Sequence, residues 1–177
     1  TVFFASRYAT RPGKVVLVDG GADIRPEVFD SIRPSIDRLG VSYPSLAAYF
    51  DFLKRMPFLE SWNVYMERYY GFDVATAADG SVRSKVPKAA VQEEVEGMRA
   101  GYKLNEMYRW IRRPVLILRA PGGLLRQDDY ILSPQEAAGM MLNMPNARLV
   151  EVPGTNHYTI MLGRRREVAE AVLAFLS

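Results

Sequence analysis

At 177 residues the chain can hold one domain with a sizeable core, or one domain carrying an inserted subdomain. The composition, 49% hydrophobic and 24% charged, is that of a globular protein, and 23 basic against 20 acidic side chains leave only +3, too little and too dispersed for a nucleic-acid or anionic-membrane surface. Zero cysteines exclude disulfides and thiol chemistry, and with one histidine, His157, a metal centre would be short of ligands.

In chain order, TVFFASRYAT reads as the end of a helix, closed by the RPG breaker at 11–13. KVVLVDGG (14–21) is a short continuous apolar run with β-branched residues that stops at paired glycines, as a buried parallel strand does. From Ile24 to about Arg113 the character becomes helical and aromatic. Leu46, Tyr49, Phe50 and Leu53 keep helical spacing behind Ser45, a good N-cap, and Trp62, Tyr65, Met66 and Tyr69 repeat the pattern. The Asp-Gly in AADGSVRSKV predicts a short hairpin, and Val91, Val95, Met98 and Tyr102 mark another helix.

Strand character returns at RPVLILRAPGG (113–123). SPQEAAGMMLNM (133–144) is a helix with a Ser cap and Pro at its first position, and ARLVEVPG (147–154) alternates enough to predict a strand nearer the sheet edge. The closing RREVAEAVLAFLS puts Val168, Ala171, Val172 and Phe175 on one helical face. Strands alternating with helices in this order predict an α/β fold: a parallel sheet flanked by helices, with a mainly helical insertion after the first strand. The basic clusters WIRR (110–113) and RRR (164–166) read as solvated helix ends. No apolar run reaches the roughly 18 residues of a membrane span, and the opening residues lack the regions of a signal peptide. The expectation is a cytoplasmic protein with no membrane, nucleic-acid, metal or cofactor partner.

The strand with VDGG, the helical insertion, RPVLILRA, a helix, ARLVEVPGTNHYTI and the amphipathic closing helix together resemble the C-terminal half of the α/β-hydrolase fold. The resemblance implies that residues 1–23 are the end of the nucleophile helix and the sixth strand. Residues 24–113 would be a cap or lid, and 114–177 the seventh and eighth strands with the histidine loop and last helix. It also implies that the nucleophile sits on a G-x-S-x-G elbow between the fifth strand and the next helix. No such pentapeptide occurs here. The expectation is therefore a fragment or one segment of a larger enzyme, inactive alone, whose serine comes from an N-terminal half upstream or on a separate chain.

A serine nucleophile needs a base within hydrogen-bond reach, and the base needs a carboxylate to hold its tautomer. His157, on the loop after the last strand, matches the base. The family usually places the acid a few residues after the seventh strand, but LILRAPGG has Gly123 where an Asp is expected. Two acids remain open: Asp19, at the end of VLVDGG, where certain haloalkane dehalogenases keep theirs, and Asp129, with its neighbour Asp128, if the loop is longer. Thr155, Asn156 and Tyr158 flank the base and read as loop-shaping residues. Of the cap aromatics, Trp62, Tyr65, Tyr69 and Trp110 are the candidates for substrate contact, with a small, largely apolar ester or lactone as substrate. A dehalogenase or epoxide hydrolase with an upstream Asp nucleophile, or a non-catalytic binding protein of the same fold, are the alternatives. APGGLL lacks the Lys-Ser/Thr ending of a phosphate loop, and VDGGAD lacks the spacing of a dinucleotide fingerprint.

Overall fold

A computed structural model describes residues 1–177. The three apolar runs form one parallel sheet: β1 (Val15–Val18), β5 (Val115–Arg119) and β6 (Ala147–Glu151), in the order β1-β5-β6. β1 and β5 run in register from Val15 opposite Val115 to Val18 opposite Leu118, and β5 continues beside β6 from Ala147 to Glu151. The central strand β5 is buried at all five positions, which explains its uninterrupted apolar run. β6, at the edge, keeps the alternation its sequence carries.

Alternate side chains of the sheet feed two cores. Val15, Leu17, Val115 and Ile117 pack with Val2 and Ala5 of α1 (Val2–Arg7) and with Ala137 and Met140 of α6 (Pro134–Asn143). Leu116 and Leu118 face the other way, onto Val152, Ile160 of the short helix α7 (Thr159–Leu162), and the apolar stripe Val168, Ala171, Val172 and Phe175 of α8 (Arg166–Leu176). Helices therefore cover both faces. α6 begins with a full capping box, in which Ser133 Oγ accepts from the Glu136 amide and Glu136 accepts from the Ser133 amide.

Between β1 and β5 the chain forms helices α2 (Val28–Asp37), α3 (Leu46–Leu53), α4 (Val64–Asp73) and α5 (Lys88–Ala100) and a small antiparallel sheet. That sheet has the order β2-β4-β3, from β2 (Ser42–Tyr43), β3 (Val74–Thr76) and β4 (Val82–Ser84). The hairpin at the Asp-Gly turn is present, and it recruits the two-residue β2, which carries too little pattern to be read alone. Trp62 falls outside the helix expected around it: Asn63 caps α4, accepting from the amides of Tyr65 and Met66. α2 has no counterpart in the sequence reading, because its Pro34 argues against a helix interior. The insert has its own core of Tyr49, Leu53, Phe58, Leu59, Met66 and Tyr70. No helix of the chain is long and apolar enough to cross a membrane.

Candidate active site

Asp19 is the first residue after β1. Its amide still bonds to the Leu118 carbonyl at 2.7 Å, but its backbone then turns into the left-handed region with φ of 44°. For a residue other than glycine this conformation is uncommon and costs energy, though Asp tolerates it better than most. The turn leaves the carboxylate buried at the carboxyl end of the sheet, 1% exposed. One oxygen, Oδ1, accepts from the Ala120 amide at 2.9 Å. The other lies 3.0 Å from His157 Nδ1.

His157 arrives from the opposite side of β5. After β6 the chain turns at Gly154, φ of 66°, where a side chain would be strained. The loop is then fixed by its own polar groups. Thr155 Oγ1 donates to the Val152 carbonyl, and Asn156 Oδ1 accepts from the amides of Tyr158 and Thr159 at 3.0 and 2.9 Å. Asn156 Nδ2 donates to the Phe58 carbonyl, tying the loop to the insert. Thr155 and Asn156 are thus the loop-shaping residues expected of them. With Nδ1 committed to a carboxylate, the neutral imidazole carries its proton there and keeps a lone pair on Nε2. Nε2 makes no hydrogen bond to the protein, and the ring is 38% exposed.

The two acid candidates separate cleanly in space. Asp129 is fully buried, but its oxygens accept from the amides of Leu124 and Leu125 at 2.6 and 2.8 Å and make no bond to His157. Burial pushes this carboxyl up, and the hydrogen bonds from the Ser31 hydroxyl and the Leu125, Arg126 and Leu124 amides outweigh it, holding the group below the ordinary carboxylate value. Asp128 is exposed and lies 3.7 Å from Arg126. The loop that carries them closes over Gly123, where any Cβ would collide with the Arg126 carbonyl and the Asp129 carboxylate. No side chain fits at Gly123, so an acid cannot stand there.

Asp19 and His157 line a cavity of about 610 Å³ between the sheet end and the insert, a size that suits a small molecule. Its walls are largely apolar, with Ile24, Ile32, Val91, Val95 and Met98 among them. Of the four aromatics expected to contact substrate, Tyr69 lines this cavity and the other three do not. Trp62 is taken up by the insert core, stacked on Tyr70 at 5.9 Å and tilted against Phe50 at 5.5 Å. Tyr65 lies on the exposed face of α4. Trp110 sits at the end of the 3-10 turn Tyr108–Trp110, about half exposed, with the Arg109 guanidinium 5.3 Å from its ring centroid. Helical spacing identifies a face, but not whether that face meets a core, a cavity or solvent.

Two polar wall residues, Ser35 and Arg38, come from α2 and its C-cap, where Pro34 masks the helical pattern in the sequence. Ser35 Oγ shares a 2.5 Å hydrogen bond with Tyr158 Oη. Arg38 Nη1 donates to Asp73 Oδ2 at 2.7 Å and to Tyr49 Oη. Burial pushes the hydroxyls of Tyr49, Tyr70 and Tyr158 upward, so they stay protonated at neutral pH. No cluster of side chains able to hold a metal ion occurs.

No protein-family model and no curated protein matches the sequence. Solved structures do match in fold. E-2-(acetamidomethylene)succinate hydrolase superposes with a TM-score of 0.79 at 23% identity, over 99% of this chain and 61% of that one. The enol-lactonase from Burkholderia xenovorans LB400 gives 0.61 at 20% identity, over 99% and 60%. A peroxisomal α/β-hydrolase from Saccharomyces cerevisiae gives 0.69 at 12% identity, over 99% and 50%. The chain has the α/β-hydrolase fold, and it spans between half and just under two thirds of the length of these structures.

Proposed function

We propose that these residues carry the base, the acid and the substrate cavity of a serine-type hydrolase acting on a small, largely apolar ester or lactone. The observation that carries this reading is the Asp19–His157 pair, with Nδ1 held at 3.0 Å and Nε2 directed to no protein partner in a ligand-sized cavity. That is the arrangement by which a carboxylate fixes the imidazole tautomer and stabilises the imidazolium. The cavity's own serine hydroxyl, Ser35, is engaged with Tyr158, and the attacking hydroxyl comes from outside residues 1–177. Residues 24–113 act as the cap that closes the cavity.

In the reaction the hydroxyl attacks the acyl carbon while its proton passes to Nε2. The tetrahedral intermediate expels the alcohol, which takes that proton, and leaves an acyl-enzyme. Water then attacks the acyl carbon, giving a proton to Nε2, and the second tetrahedral intermediate breaks its bond to the serine oxygen, which takes that proton back as the carboxylic acid leaves. Throughout, Asp19 remains ionised and holds the ring. The Ala120 amide, donating to the other Asp19 oxygen, keeps that carboxylate pointed at Nδ1.

The test is labelling of the complete protein with a fluorophosphonate, alongside turnover of 4-nitrophenyl esters by His157→Ala. Covalent labelling and a loss of roughly 10⁴-fold or more in kcat are expected. Absence of labelling with full ester turnover by the variant contradicts the reading.

A further inference from the structure

Arg38 is the cation of the cavity wall, and its hydrogen bonding is one-sided. Both of its protein bonds, to Asp73 and Tyr49, leave from Nη1. Asp73 has further donors on both oxygens: Oδ2 also accepts from Tyr49 Oη at 2.8 Å, and Oδ1 from Ser84 Oγ at 2.9 Å. The guanidinium lies 5.4 Å from the Tyr70 ring centroid and 6.0 Å from that of Tyr49, within cation–π range of both. What remains is the edge formed by Nε and Nη2, with no protein acceptor, on a side chain only 11% exposed. Two parallel N–H groups along such an edge match the two oxygens of a carboxylate.

None of the acids of the cavity bonds to that edge; each has another partner. Asp19 is held by His157 and the Ala120 amide, Asp23 accepts from the amides of Tyr102 and Leu104, and Glu94 accepts from Tyr102 Oη. A guanidinium anchored through Nη1 to Asp73 and Tyr49, in a wall otherwise mostly apolar and with its Nε–Nη2 edge unpaired, is therefore poised for an anion from outside. The same wall carries the Ser35–Tyr158 hydroxyl pair, and Tyr158 is the residue after the base, its ring 5.7 Å from that of His157.

We propose that Arg38 is a specificity residue: its Nε–Nη2 edge takes a carboxylate carried by the substrate, so that the preferred ester or lactone is an acidic one, held by its anionic end while its acyl carbon lies at His157. This inference rests on the hydrolase reading for the role of the bound anion, but binding at Arg38 is measurable without turnover.

The experiment is an NMR titration of the intact chain with hexanoate and with hexanamide, its neutral isostere. The readouts are the Arg38 Nε–H signal and the ring signals of the single histidine. Hexanoate is expected to bind about tenfold tighter than hexanamide, shifting both sets of signals. Arg38→Gln should abolish the preference, and Arg38→Lys, which keeps a charge beside Asp73 but loses the two-donor edge, should reduce it. Equal binding of acid and amide by the wild-type chain overturns the proposal and needs no variant to fold. A preference that survives in a folded Arg38→Gln overturns it as well. Fluorophosphonate labelling separates the two readings. Labelling without carboxylate preference removes the role of Arg38 and keeps the hydrolase; preference without labelling keeps the anion site and removes the hydrolase.

Discussion

Two aspartates equally eligible by position in the chain differ completely in what their oxygens touch. Asp19 gives one oxygen to a backbone amide and one to the imidazole, whereas Asp129 gives both to backbone amides. Substitution should therefore separate chemistry from stability. Asp19→Asn keeps the shape but favours the wrong imidazole tautomer, and on the proposed hydrolase reading kcat of the complete protein should fall by about 10⁴-fold. Asp129→Asn should leave kcat within a few-fold and lower stability at neutral pH by roughly 1–3 kcal/mol, because amides lose a charged acceptor. The folded Asp129 carboxyl titrates below its unfolded value, so its stabilisation is present above about pH 4 and fades as pH falls through the folded value. Urea unfolding of both proteins across pH 3 to 7 should show the gap narrowing on acidification; a constant gap contradicts the assignment.

At the scale of elements, the legible parts were those whose burial is uniform. β5 is covered on both faces and its apolar run is unbroken; α8 has one covered face, and its stripe is complete. α6 was marked by its Ser-Pro start because capping is local chemistry. α2 and β2 were not legible, since one contains proline and the other is two residues long and depends on β4 for its bonds. The site divided the same way. His157 stands out as the lone histidine past a strand end, but the choice between Asp19 and Asp129 depends on loop paths that spacing does not encode. Trp62 shows the reverse problem, as its helical register placed it on a face whose cap at Asn63 begins one residue later. The open side of β1 has its own consequence. The amides of Val15 and Asp19 bond to the carbonyls of Pro114 and Leu118, so those of the intervening Val16 and Val18 point away from β5. Hydrogen exchange in the isolated chain should be fast at Val16 and Val18 and slow at Val15 and Asp19. Uniform protection along the strand would show that the edge is covered.

At the scale of the whole molecule, that edge lies beside a cavity of about 890 Å³ shared with α1, whose Phe3, Phe4 and Tyr8 flank are largely exposed. An unpaired strand next to apolar surface is a template for association. Sedimentation of the chain by itself should give an average mass that rises with concentration, and a constant monomer mass over the micromolar range would contradict this. The end of the sheet that carries Asp19 and His157 is organised differently. The sheet, the loop after β6 and the insert converge there, and each holds the next by hydrogen bonds: Asp19 to Ala120, Gly122 to Thr155, Asn156 to Phe58. The account depends on that convergence fixing one tautomer of one imidazole. The direct measurement is a long-range ¹H–¹⁵N spectrum of the single histidine at alkaline pH, where the ring is neutral. The proton is expected on Nδ1, with Nε2 unprotonated, and Asp19→Asn should remove that preference. A ring protonated on Nε2 in the unaltered chain, or one indifferent to Asp19→Asn, would contradict the account.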